Sequence, residues 1–211
     1  YNVIMGFQAG DAITTGANNV AVGYQALGSN TTGAGNAAFG DSALHSCTEG
    51  GDNTAIGNNA LDALTTAGQL VAVGKNALGA NTSGTANNAL GYNAGGSTTT
   101  GSNNTFIGHN SGSAHTTASN NTAVGAVAAT TLTTGASNTA VGYYSLNAAT
   151  TGANNVAVGG GSLGALTTAS NNTAVGYDAG RFVTTGASNT FVGAYAGDAV
   201  TTGASNVIIG T

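Results

Sequence analysis

Charge, proline and tryptophan are scarce or missing in this 211-residue chain. Charged residues make up 4% of the sequence, where a globular protein carries about a quarter, and neither Pro nor Trp occurs. The only cations are Lys75 and Arg181, so a phosphate backbone would find almost nothing to neutralise it, and nucleic-acid binding is not expected. No stretch approaches the roughly 20 apolar residues that span a bilayer, and no signal peptide is visible, so membrane insertion is not expected.

Groups that do chemistry are equally scarce. Cys47 is the only cysteine, so no internal disulfide can form, and we interpret it as a small apolar side chain. The acids Asp11, Asp62 and Asp198 share one position of the repeat described below, but several units apart, too far for a catalytic carboxylate pair. The remaining acids and the histidines are Asp41, Glu49, Asp52, Asp178, His45, His109 and His115. None has metal-ligand spacing, so neither an enzyme nor a bound metal or cofactor is predicted.

One glycine-rich run matches a nucleotide-binding pattern by spacing alone. Gly159 to Gly164 reads G-G-G-S-L-G, which fits G-x-G-x-x-G. The pattern needs a strand before it and a helix after it, within a βαβ unit, and this sequence offers no such context. We therefore interpret the run as a product of low complexity.

What the chain has in abundance is repetition. Thirteen glycines, from Gly6 to Gly210, stand 17 residues apart without an insertion or deletion. The residue before the glycine is apolar in all thirteen copies, and the fourth residue before it is Asn in twelve, with Leu70 as the exception. The eighth residue after it is Thr in all twelve available copies. An unbroken short period of this kind indicates one unit stacked on copies of itself.

The composition of the unit predicts a β-solenoid. Seventeen residues are too few for a helical hairpin repeat, and Thr, Val, Asn and Gly are poor helix formers. The N-T-A-V-G run at 121–125 and again at 138–142 is typical of a strand of four residues ended by glycine. We expect each unit to close one coil with corners at the Gly and Thr-Thr-Gly positions, and equivalent strands to pair at about 4.8 Å in a rod about 58 Å long.

Stacking places each residue type above its equivalent in the next coil. The expected structural ladders are an Asn column (Asn19, Asn36, Asn53, Asn104, Asn121, Asn138), a Gly column (Gly23, Gly40, Gly57, Gly108, Gly125, Gly142) and a Thr column (Thr31, Thr65, Thr133). Side-chain amides in the Asn column can donate to one another. For the second half of the coil, we expect a second strand ending near Thr-Thr, with a short helical turn around 24–27 as the alternative.

The strand is apolar on both faces, which predicts self-association. Alternation directs the residues one and three before the glycine inwards and the residue two before it outwards. That middle position is Ala in nine copies and Ile or Phe in the other four. We expect it to form an oligomer seam, represented by Ala21, Ala38, Ala55, Phe106, Ala123 and Phe191. A second copy of the chain is the simplest cover for such a strip.

The N-[TV]-A-V-G-Y-x-A-L core, as in 19–27, resembles the head repeats of trimeric autotransporter adhesins. With its following Thr-Thr-Gly it is also similar to the repeat arrays of bacteriophage tail-fibre proteins and tail-fibre-like bacterial surface proteins. The resemblance covers the whole chain. It implies an all-β, left-handed β-roll, three chains around one axis, and a viral or bacterial surface fibre or adhesin with an extracellular location. No C-terminal chaperone or anchor domain of the kind that such proteins carry is recognised.

The resulting prediction is a single repeat array over 1–211, about twelve coils of a longer chain without caps, acting as a rigid structural fibre for surface attachment. A self-assembling filament of chains stacked end to end is the first alternative. An ice-binding solenoid that uses the stacked Thr column is the second, although adjacent Thr residues point in different directions. The position after the glycine varies, which indicates a surface column. Its tyrosines (Tyr24, Tyr92, Tyr143, Tyr177) are candidates for contact with a receptor or glycan, with corner packing as the alternative.

Overall fold

The computed structural model describes all 211 residues and contains strands and turns but no helix. Each coil contributes one strand of three residues. The strands are β1 Val3–Met5, β2 Val20–Val22, β3 Ala37–Phe39, β4 Thr54–Ile56, β5 Val71–Val73, β6 Asn88–Leu90, β7 Thr105–Ile107, β8 Thr122–Val124, β9 Thr139–Val141, β10 Val156–Val158, β11 Thr173–Val175, β12 Thr190–Val192 and β13 Val207–Ile209.

The thirteen strands form one parallel sheet in sequence order. Each strand pairs with the next in a register of one repeat, so that Thr122 lies opposite Thr139 and Val124 opposite Val141. The predicted β-solenoid of 17-residue coils is therefore confirmed. The strand is one residue shorter than the N-T-A-V run, because the Asn has its own role in the ladder described below.

The glycine after each strand turns the chain in a conformation that a side chain would not allow. Gly125 has φ +133°, and a Cβ placed on it would lie 2.5 Å from the carbonyl oxygen of Gly142 in the next coil. The same glycine donates its N–H to the carbonyl of Ile107 in the preceding coil at 2.7 Å. Positive φ, close backbone approach and an intercoil hydrogen bond together explain why this column contains only glycine.

The second half of the coil is a series of tight turns, so the prediction of a second strand there was wrong. Gln25 and Leu27 have φ of 52° and 55°, and the N–H groups of Gly28 and Asn30 return to the carbonyls of Gln25 and Leu27 at 3.1 and 3.2 Å. Backbone bonds to the next coil continue, as from Leu27 N–H to Ala43 at 3.0 Å. Along this segment, residues with positive φ alternate with residues with negative φ. Hydrophobic periodicity does not reveal this backbone pattern.

The facing of the strand was also predicted wrongly. Within a single chain the middle strand residues Ala21, Ala38, Ala55, Phe106, Ala123 and Phe191 are all 0% exposed, so they line the core and cannot form an oligomer seam. The residues on either side of them face outwards. Side chains do alternate along the strand, as expected. The Asn two residues before the middle position is buried, so the middle residue, on the same face, points inwards as well.

Two columns of side chains share the volume of the core: the middle residue of each strand and the residue four places after the glycine. Six of the twelve coils pair a middle-strand Ala with a Leu four residues after the glycine, as Ala38 does with Leu44, and both are fully buried. Where the middle residue is Phe106, glycine takes the Leu position in its own coil and in the preceding one, at Gly112 and Gly95. A Cβ on Gly95 would lie 2.5 Å from Cδ2 of Phe106. The large ring therefore uses the space of two missing side chains.

Candidate functional site

The largest uncovered apolar surface is the outer sheet face, which we define as the first and third residues of the thirteen strands. The third-residue column is aliphatic or aromatic throughout: Met5, Val22, Phe39, Ile56, Val73, Leu90, Ile107, Val124, Val141, Val158, Val175, Val192 and Ile209. Eight of these residues, Met5, Phe39, Ile56, Leu90, Ile107, Val175, Val192 and Ile209, are 37% to 74% exposed. An apolar stripe of this length is typical of an interaction surface.

The first-residue column of the outer sheet face contains only small or β-branched residues and one Asn. It consists of Val3, Val20, Ala37, Thr54, Val71, Asn88, Thr105, Thr122, Thr139, Val156, Thr173, Thr190 and Val207, and it has no charged member. β-branched side chains dominate both columns, so the face is stiff and regular. The strip that the sequence predicted to be outermost is the middle column, one residue away. The structure reverses this because the Asn two residues before the middle position is buried and the middle residue shares its inward phase.

The Asn column forms a hydrogen-bonded ladder along the core. Asn138 donates its backbone N–H to Oδ1 of Asn121 at 2.9 Å, and its Nδ2 donates to the same oxygen at 3.2 Å and to the carbonyl of Gly152 at 2.9 Å. The arrangement recurs from Asn2 to Asn53 and from Asn87 to Asn206, with small variations. A buried amide whose donors and acceptor are all used holds the coils together and rejects most replacements.

The Asn ladder is interrupted once, at Leu70. Its backbone N–H still donates to Oδ1 of Asn53 at 3.1 Å, but its side chain has no amide to offer to the next coil. The N–H of Asn87 makes no hydrogen bond, and the ladder begins again where Asn87 accepts from Asn104. One coil boundary therefore lacks the bonds that all its neighbours have.

The Thr column uses its hydroxyls in hydrogen bonds between neighbouring coils at the surface of the rod. Oγ1 of Thr31, Thr65 and Thr133 donates to the carbonyl of the equivalent Thr in the next coil at 3.1 Å in each case. The hydroxyl protons of these three residues are therefore not available to a ligand. Thr31 and Thr133 lie at a bend followed by Thr-Gly, as expected for a corner, whereas Thr65 is followed by Thr66 and Ala67 and lies just before the bend.

The four candidate tyrosines lie on the surface but in different surroundings. Tyr24 and Tyr92 are each about half exposed and stack on a neighbour in the same column, Phe7 at 5.8 Å and His109 at 5.3 Å between ring centroids. Tyr143 and Tyr177 are 66% and 56% exposed and lie on opposite sides of one concave notch. The structure therefore brings two of the four together.

The titratable groups form no common centre. His45 approaches Asp62 at 3.8 Å, and Arg181 pairs with Asp178 at 2.9 Å on another part of the surface. No group of three or more His, Cys, Asp and Glu side chains is arranged to hold a metal ion. Cys47 is buried, and burial raises the pKa of its thiol, as for the small apolar side chain that the sequence predicted.

His115 is the one ionisable ring enclosed in the core. It lies 4.7 Å from the ring of Phe106, is 0% exposed, and neither of its ring nitrogens has a hydrogen-bond partner. Burial lowers its pKa to about 4, from 6.5 in an exposed histidine. Between these two values the unfolded chain binds a proton that the folded chain does not, so the free energy of unfolding falls as the pH falls.

We expect the variant His115→Leu to lose this pH dependence. Leu64, Leu132 and Leu166 occupy the same position in other coils, so leucine fits the site. Between pH 7 and pH 4 the parent should lose about 3 kcal/mol of stability more than the variant. Urea unfolding of both proteins at several pH values, followed by circular dichroism, measures the difference. Equal loss in both proteins would show that His115 is not responsible.

Comparison with known proteins gives no match. No protein-family model, curated protein or solved structure matches it. The chain also contains no helix of the length and apolarity needed to cross a membrane.

Proposed function

We propose that this chain is a rigid fibre segment that associates with copies of itself through the outer sheet face and serves in surface attachment. The observation that supports this proposal most directly is the apolar outer sheet face, which runs the full length of the sheet in a single chain. The resemblance of its repeat to adhesin heads and phage tail-fibre arrays supports the same role. It also favours a homotrimer and an extracellular location.

The dimensions of the outer sheet face suit a stable interface. Twelve strand spacings of about 4.8 Å give a stripe about 58 Å long. All thirteen third-column side chains lie along this stripe, and eight of them are 37% to 74% exposed, so a partner would cover an apolar side chain in every coil. Since the face has no charged residue, association leaves no unpaired charge buried.

A ring of chains about an axis parallel to the rod is the simplest arrangement that covers the outer sheet face of every copy. The outer sheet face repeats one strand pattern along one direction, so identical chains related by a rotation about the rod axis present the same columns to one another at every level. A closed ring of chains covers every copy of the face without leaving a free apolar edge. Three copies is the number that the resemblance implies.

Placing charge on the outer sheet face should separate the chains. The double variant Val124→Lys/Val141→Lys introduces two adjacent ammonium groups per chain, which repel their equivalents and lose solvation in the interface. We expect sedimentation equilibrium at micromolar concentration to give about three times the chain mass for the parent, and the single-chain mass for the variant.

The matched control for the charge test is Thr134→Lys/Thr151→Lys. Both threonines are exposed, lie in neighbouring coils away from the sheet, and give the same change in net charge. This variant should retain the parent's mass. A parent chain that is monomeric and folded under these conditions contradicts the proposal, whereas a mass that grows with concentration beyond three chains favours the end-to-end filament.

A second candidate function, ice binding, finds some support on the same face rather than on the Thr column. The outer sheet face has Thr two residues before an aliphatic residue in six strands, including β8, β9 and β11, and both side chains point outwards. Each of these strands presents one outward Thr and one outward Ile or Val, whereas adjacent Thr residues point in different directions. Thermal hysteresis and ice-crystal shaping by a monomeric chain would favour this function over the fibre.

A further inference from the structure

One coil lacks the surface side chains that its neighbours carry, and a notch results. In the coil that begins at Gly159, the next two positions are Gly160 and Gly161, and the fifth and sixth are Gly164 and Ala165. The notch above them has a volume of about 500 Å³ and is the larger of the two concave sites on the rod. It lies on the turn side of the coil and includes no residue of the outer sheet face.

Aromatic rings form the two walls of the notch. Tyr143 and Tyr144 come from the preceding coil, and Tyr177 and Phe182 come from the following one. All four are 47% to 66% exposed, the densest group of exposed aromatics on the chain. The walls stand two coil spacings apart, about 10 Å, which leaves room for one ring-shaped ligand between them.

A polar pair completes the following wall. Nη1 of Arg181 donates to Oδ2 of Asp178 at 2.9 Å, and the guanidinium carbon lies 5.3 Å from the centre of the Phe182 ring. Asp178 is 5% exposed, so its carboxylate is fixed and screened from water. The remaining guanidinium N–H groups, on a side chain that is half exposed, are free to donate to a ligand.

The missing side chains are needed for this arrangement. A Cβ on Gly161 would overlap with Oδ1 of Asp178, and a Cβ on Gly160 would lie 3.5 Å from the ring of Tyr177. In every other coil the position of Gly160 carries a side chain, and rings of this column stack in two places, Tyr24 on Phe7 and Tyr92 on His109. Gly160 therefore opens a surface column that is filled elsewhere.

We infer that the notch binds a neutral saccharide, with one pyranose ring held between the aromatic walls. The faces of a pyranose are C–H surfaces that pack on aromatic rings, and its rim of hydroxyls matches the tyrosine hydroxyls and the Arg181 donors. Because Arg181 is already neutralised by Asp178, the site has no net charge to attract an anionic ligand. A site that is apolar with a few fixed polar groups is the usual form of a small-ligand site.

Two aromatic walls also favour a particular sugar configuration. In a β-linked glucose unit all hydroxyls are equatorial, so both faces of the ring are apolar, whereas the axial hydroxyl of galactose interrupts one face. The notch should therefore prefer β-glucose units to β-galactose units. The inference rests on the proposed attachment function for its biological role, since it names the chemistry of the surface to which the fibre would attach.

Saturation-transfer NMR with cellotriose tests the site, with β-1,4-galactotriose as the comparison sugar. We expect cellotriose to bind the parent chain in the millimolar range and galactotriose to bind more weakly. Gly160→Tyr restores the side chain common in this column and should weaken cellotriose binding by about tenfold or more, as should Tyr177→Ala. The matched control is Asn58→Tyr, which introduces the same residue at the equivalent position of a distant coil, and it should bind like the parent.

The outcomes separate this inference from the proposed function. The saccharide site would be overturned if cellotriose at tens of millimolar showed no saturation transfer, or if Gly160→Tyr left the transfer unchanged. Circular dichroism of each variant confirms that it is folded, so a loss of binding cannot be due to unfolding. Sedimentation of the same samples reports the oligomeric state. A monomer that binds cellotriose through the notch refutes the self-associating fibre alone, and a trimer that binds no sugar refutes the notch alone. An aromatic side chain of another copy seated in the notch, seen in a crystal structure, would also overturn the saccharide site.

Discussion

Replacing Gly125 with alanine is expected to destabilise the rod by about 3 kcal/mol or more. The residue has φ +133°, a region that costs a residue with a side chain roughly 1–3 kcal/mol. The new Cβ would also lie 2.5 Å from the oxygen and 2.7 Å from the carbonyl carbon of Gly142. These are backbone atoms of the neighbouring coil and cannot rotate away, so the two coils must separate and weaken the bonds between them.

Gly160→Ala is the matched control for Gly125→Ala. Gly160 occupies the position of Tyr143 in the next coil, and its φ is not positive. A Cβ on Gly160 would meet nothing closer than the Tyr177 ring at 3.5 Å. Ala126 already occupies the same position in another coil. Urea unfolding followed by circular dichroism should give a midpoint close to the parent for Gly160→Ala and a much lower one for Gly125→Ala. Similar midpoints would show that the coils can move apart at little cost.

Removing the Phe106 ring is expected to cost about 3–5 kcal/mol, the usual range for truncating a buried phenylalanine. The ring is 0% exposed and lies between Gly95 and Gly112, neither of which can extend a side chain into the space that is left. In Phe106→Ala that space becomes a cavity across two coils. Chemical denaturation of the parent and the variant measures the loss.

The rest of the chain shows how to repair the Phe106→Ala cavity. Coils with a middle-strand Ala, such as Ala38, have Leu27 and Leu44 at the positions that correspond to Gly95 and Gly112, and Leu27 adopts the required φ of 55°. The triple variant Phe106→Ala/Gly95→Leu/Gly112→Leu should therefore recover most of the lost stability. Gly112→Leu alone, with the ring still present, should be destabilising. If the triple variant is no more stable than the single one, the two columns do not exchange volume.

The architecture was predictable because a strict period leaves few alternatives. The invariant Gly6-to-Gly210 spacing fixed the coil length, and the Asn column predicted a ladder of amides. Two aspects of the coil were not predictable from the same reasoning. The turns around Gln25 and Leu27 depend on positive φ at residues that rarely adopt it, and propensity scales do not include that choice. To predict that Ala21 points inwards, one must know which of the two apolar columns lies on the same face of the strand as the buried Asn.

The exchange between Phe106 and Gly112 was the sequence signal that would have corrected the facing. Two columns that trade volume must share one interior, so the middle residue had to be inside. The notch was missed for a related reason. The run from Gly159 to Gly164 matches a nucleotide-binding motif only by spacing, and its structural effect comes from the side chains that it lacks. Tyr143 and Tyr177 were correctly placed on the surface, but only the structure shows that they face each other across the gap.

The break in the Asn ladder at Leu70 has a mechanical consequence. A rod held by identical bonds at every level has no preferred place to fail, and this rod has one. Under tension or heating, the boundary between Leu70 and Asn87 should open first, leaving a shorter block before it and a longer block after it, each still joined by its own amides. A fibre containing such a joint would yield at a fixed point along its length instead of fracturing at random.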